Sequence, residues 1–175
     1  YGALDDGRLP DDRSFTYSFL IRGLAGPFDD LRALLAWQTV AGVAIAVVLF
    51  VALTRFFSVP KRLAGVAALL LALDPGQLYY ERMVLAETFG LFWFVLFYSS
   101  SAMYLASGRR RWLVVVALLG LLTVTFRLNY APIVLVISLT LPIIRVLSDR
   151  VPWRTVTGHT LIAIAAVVVL HGSFQ

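Results

Sequence analysis

The chain has 175 residues, of which 60% are hydrophobic and only 14% charged, with a formal net charge of +5. Soluble domains carry about a quarter charged residues, so this composition, with a mean hydropathy of +0.85, excludes an ordinary soluble domain. It predicts an all-α, polytopic transmembrane helix bundle. The lack of cysteine excludes disulfides, thiolate nucleophiles and cysteine-based metal sites.

Residues 1–32 are the only long polar segment and read as an extracytoplasmic loop. Asp5, Asp6, Asp11 and Asp12 surround Gly7 and Pro10 there. Tyr17, Leu20, Ile21 and Leu24 follow at helical spacing, which predicts a short amphipathic helix lying in the membrane interface. Gly26-Pro27 ends it, and Asp29 or Asp30 is placed to cap the next helix. Because the chain opens on Tyr1 and stops at Gln175 just after an apolar run, it is expected to be a piece of a longer protein.

The rest, 33–175, is predicted to be the transmembrane bundle. Its apolar runs predict six spans, at about 33–54, 63–78, 80–106, 112–127, 131–147 and 155–171. A span needs about 20 residues to cross about 30 Å of hydrocarbon. The second uncharged run covers only 63–73, so to cross it must take in Asp74 and Pro75. The fourth is short enough to draw Arg127 to the lipid boundary. The fifth holds Pro132, suited to a first helical turn, and Pro142, a kink site.

Loop charge sets the expected orientation. Arg55, Lys61 and Arg62, then Arg109 to Arg111, then Arg145, Arg150 and Arg154 place nine basic residues in alternate loops, with Asp149 the one acid. Short loops rich in Lys and Arg stay cytoplasmic. The N-terminal loop, 74–87 and 127–131 then face outward, away from the cytoplasm. The basic pI is thereby assigned to topology, with the lipid bilayer as partner and no nucleic acid.

The outward side gathers the polar groups able to do chemistry. Asp74, Glu81 and Asp12 are the candidate catalytic carboxylates. Arg82, Arg127, Tyr79, Tyr80, Glu87 and Asn129 are the candidate substrate-binding residues. Charge at the flank of a membrane span is costly and calls for a partner or a task. Guanidinium matches phosphate bidentately, and a carboxylate can serve as base toward an acceptor hydroxyl or amine. The set therefore suits sugar transfer from a lipid-linked phosphate. If the third span starts near Tyr79, then Glu81, Leu85 and Thr88 share one face, Tyr80 and Glu87 another. Glu87 would lie about two turns into that helix, where dipole help has faded and water or a cation is needed. The plainer alternatives are a structural pair of Arg82 with Glu81 or Glu87, an Arg127 that snorkels to headgroups, an Asp74 that only ends a helix, and a Gln38 that donates between helices. His159 and His171 fall on opposite sides of the membrane and read as structural. No cofactor is implied; a divalent metal on external carboxylates has no ligand spacing to support it.

The order of an Asp-rich outer loop, Trp37-Gln38-Thr39, the stretch from Leu71 to Phe92 containing Asp74-Pro75-Gly76, the Gly108 to Trp112 loop and the run from Phe126 to Pro132 resembles bacterial members of the GT-C superfamily. These are membrane glycosyltransferases similar to protein mannosyltransferases and aminoarabinose transferases. The resemblance covers most of 10–145. It implies an external site, a polyprenyl-phosphate-linked sugar donor, an inverting transfer, and a catalytic base near the start of the first external loop. None of Asp5, Asp6, Asp11 or Asp12 matches that base, which is expected upstream of Tyr1. Two other classes fit the residues: a transporter or flippase fragment whose acids relay ions, with Pro75 and Pro142 marking broken helices, and a membrane scaffold without catalysis. The sequence leaves sugar, acceptor and oligomeric state open.

Overall fold

The computed structural model describes residues 15–24, 26–28, 31–82 and 86–149. Among these residues the fold is entirely helical. Helix α1 (Phe15–Leu24) leads through a 3-10 turn (Gly26–Phe28) into α2 (Leu31–Arg55). Two short helices follow, α3 (Lys61–Ala72) and α4 (Pro75–Arg82). Helix α5 (Glu87–Ser107) and α6 (Arg110–Phe126) form the most extensive pair. A 3-10 turn (Leu128–Tyr130) then starts α7 (Ala131–Asp149).

Three of these helices are long and apolar enough to cross a membrane: α2, α5, and the 3-10 turn with α7 together. They mark a membrane protein. Their outward faces are apolar, as lipid-facing surfaces are: Val40, Val43 and Val47 on α2 and Val136 and Leu147 on α7 are all exposed. Asp12 and the predicted span 155–171 lie outside the described residues, as do Asp29, Asp30 and both histidines.

Contacts fix the relative directions. At one end Leu34 of α2 packs with Phe89 of α5 and Phe126 of α6, and Leu20, Ile21 and Leu24 of α1 close over that cluster. Further along, Phe97 and Tyr104 of α5 pack with Leu113 and Val116 of α6 and with Val134 and Leu141 of α7. Thus α2, α5 and α7 run parallel, and α6 runs back between its neighbours. Gly120 makes this packing possible: a Cβ there would stand 2.9 Å from Val134 Cγ1 and 3.2 Å from Phe97 Cε2.

The return from the end of α2 to the start of α5 differs from the predicted single span at 63–78 followed by another at 80–106. It is made by α3 and α4, broken at Leu73 and Asp74. Proline disfavours helical geometry in the residue before it, and Asp74 instead caps α4. Its carbonyl accepts from Leu78 N–H at 2.9 Å, and its Oδ2 accepts from Gln77 N–H at 2.9 Å. Gly76 leaves room for that carboxylate, since a Cβ would come within 2.9 Å of Oδ2. Because α4 ends at Arg82 and α5 begins at Glu87, the shared faces expected of one continuous helix from Tyr79 do not carry across.

Candidate functional site

The polar end of the bundle is built where α5 starts and where α6 turns into α7. Glu87 occupies the first turn of α5, not a position two turns in. A carboxylate there meets the positive end of the helix. Arg127 stands just past α6 in extended geometry, φ −153° and ψ 107°, and its N–H donates to the Thr123 carbonyl at 3.1 Å. That conformation turns the Arg127 side chain back toward α5, where Nη1 lies 3.2 Å from Glu87 Oε1. The cation that Glu87 requires is therefore Arg127, from a distant part of the chain. The Arg127 side chain is 37% exposed and that of Glu87 23%, so the pair sits at a boundary, neither sealed nor fully solvated.

The turn packs over Gly90 at ordinary van der Waals distance. A Cβ on Gly90 would lie 3.5 Å from the Tyr130 ring and 3.6 Å from Arg127 Cβ. Tyr130 stacks on Phe94 with centroids 4.9 Å apart and planes 11° from parallel. Together these contacts hold the 126–130 turn against the first two turns of α5.

The other predicted site residues are distributed as follows. Asp74, Tyr79 and Arg82 are exposed on or beside α4, which packs against α2, α3 and α5. Arg82 lies in the last turn of α4, where a cation complements the helix dipole. Tyr80 and Glu81 belong to α4 by backbone. Asn129 is exposed in the 3-10 turn next to Arg127. The structure thus joins Glu87 with Arg127, sets Asn129 beside them, and engages the Asp74 carboxylate as a helix cap. Among the described residues, no three His, Asp or Glu side chains gather as metal ligands would.

Polar groups are also buried within the bundle, on α2 and near the start of α5. Gln38 is fully buried on the α2 face that also carries Leu34 and Ala41. Thr88 is fully buried beside Glu87, and its Oγ1 has no hydrogen-bond partner among the described residues; Trp93 Nε1 has none either. Buried polar groups are nearly always bonded, so two unmet atoms within two turns of the α5 start are notable. The sequence offered only a weak signal for them: Thr88 and Trp93 are ordinary residues at the start of an apolar run.

No family profile, curated protein or solved structure matches this chain.

Proposed function

We propose that the chain is part of an integral-membrane glycosyltransferase of the GT-C type, with six spans in the bacterial inner membrane and the Glu87–Arg127 end facing outward. The observation that carries this reading is the carboxylate–guanidinium pair at the end opposite Arg55, Lys61, Arg62 and Arg109 to Arg111. If α5 and α7 cross in one direction, α6 between them must cross back, and the basic loops then fall on the side where such loops are retained.

In this reading the donor is a polyprenyl-phosphate sugar. Arg127 uses one nitrogen on Glu87 and has further N–H donors in its planar fork. Those donors hold the departing phosphate as the bond from the anomeric carbon to phosphate oxygen breaks. A carboxylate takes the acceptor proton as the new bond to the same carbon forms on the opposite face. Glu81 is the candidate for that base, and Arg82 a second phosphate contact. Asp74 is better understood through its cap, and Asp12 and an acid upstream of it remain candidates. The experiment is sugar transfer from a polyprenyl-phosphate donor in membranes carrying the full-length protein. Arg127→Ala and Glu81→Ala are each expected to lower turnover at least about a hundredfold. Unchanged turnover in both would remove these residues from the site.

One observation favours a second reading, a scaffold without catalysis. Asp74 and Glu87 both have their partners within the chain, as purely structural residues would. The two readings part on Arg127→Lys. A scaffold keeps its ion pair and its stability, whereas a transferase loses the bidentate phosphate grip and slows.

A further inference from the structure

A second feature lies away from the Glu87–Arg127 pair. Between α2, α5 and α7 runs a cavity of about 430 Å³ whose walls include Leu49, Leu53, Phe57, Tyr98, Ser99 and Ile137. Ser99 donates its hydroxyl to the Val95 carbonyl at 2.8 Å, so the hydroxyl is already bonded within its own helix. At the end near the α2 terminus, Phe57 stacks on Tyr98, with centroids 6.3 Å apart and planes 8° from parallel. Both rings are about half exposed. The groove is thus open beside these two rings, and its walls are almost wholly apolar.

The turn between α2 and α3, which carries the lining residue Phe57, is strongly basic. Arg55 closes α2 two residues before Phe57, and Lys61 and Arg62 open α3; all three are exposed. The linking turn is fixed: Val59 N–H donates to the Leu53 carbonyl at 3.0 Å, and Ser58 takes φ 53°. Lys61 and Arg62 stand in the first turn of α3, which has no acid and no side-chain cap. Two cations there oppose the helix dipole, and an anion would relieve both.

We propose that this groove holds one acyl chain of an anionic phospholipid whose phosphate is gripped by Arg55, Lys61 and Arg62. A chain moving from bulk lipid into the groove gains little from hydrophobicity, because lipid tails are as apolar as the lining. Selection must come from the headgroup, where each basic side chain near the surface is worth about fivefold in binding. The site is thus selective for anionic over zwitterionic lipid, and it is independent of the transferase reading.

The test is native mass spectrometry of the full chain, released from vesicles of equal phosphatidylcholine and phosphatidylglycerol. The expected result is one retained phosphatidylglycerol per chain. Lys61→Gln with Arg62→Gln should reduce that retention about tenfold or more. Arg109→Gln with Arg110→Gln removes the same charge away from the groove and should leave it unchanged. Ser99→Trp, which fills the groove, should abolish it. Three results would overturn the proposal: equal retention of both lipids, an equal loss from the Arg109 and Arg110 pair, or no effect of Ser99→Trp. The last would arise if residues 155–171 or a second copy of the chain filled the groove. The charge variants alter exposed side chains, so they report even if the tryptophan variant misfolds.

Discussion

The Glu87–Arg127 pair shows how far single residues can be read. Both were legible as charges too costly to leave alone at a membrane flank. Their pairing was not, because it depends on the extended backbone that Arg127 adopts just past α6. Partly exposed ion pairs contribute modestly, so a double-mutant cycle of Glu87→Gln and Arg127→Gln on unfolding in detergent should give a coupling of about 0.5 kcal/mol. Gly120 belongs to the same scale. Gly120→Ala would push a methyl group into Val134 and Phe97, both buried, and should destabilise the fold by about 1–3 kcal/mol. Thermal unfolding in detergent would show this as a lower midpoint.

Helix ends decide the next scale. Asp-Pro-Gly at 74–76 could be read from sequence as an interruption, yet whether the chain continued as one span or restarted as a new helix depended on the Asp74 cap. That distinction yields a clean prediction. Asp74→Ala should cost about 1 kcal/mol, while Asp74→Asn, an equally good cap, should cost almost nothing. If the Asn variant keeps both stability and transfer activity, the carboxylate serves only α4. At the far end of α5, Gly108 takes φ 64° and its N–H donates to the Tyr104 carbonyl at 2.8 Å. Arg145 of α7 donates to the Leu105 carbonyl in the same last turn. The sequence marked Arg145 only as a loop charge; in the structure it is a cap delivered across helices, favoured by the negative helix end. Gly108→Ala should destabilise by about 1–2 kcal/mol from the left-handed backbone alone. It would also displace the Arg145 guanidinium, which lies 2.8 Å from where the Cβ would be.

Across the whole molecule, the all-helical bundle and its membrane character followed from composition and the lengths of apolar runs, since only helices and closed barrels satisfy backbone polar groups in lipid. Helix boundaries in the α3–α4 region did not follow, because a short apolar run with a proline reads equally as a strained span or as two helices. The arrangement of the helices is polar. Parallel α2, α5 and α7 put the Glu87–Arg127 pair at one end and Arg55, Lys61, Arg62 and Arg109 to Arg111 at the other. The account rests on these ends facing opposite sides of the membrane, with the acidic and aromatic end outward. The chain has no cysteine, so single-cysteine variants carry no background. The most direct measurement is labelling of Asn129→Cys and Arg110→Cys in intact cells with a membrane-impermeant thiol reagent. The account predicts that the cysteine at 129 reacts from outside and the cysteine at 110 reacts only after permeabilisation. Labelling of position 110 in intact cells, or of neither position until the membrane is opened, would contradict it.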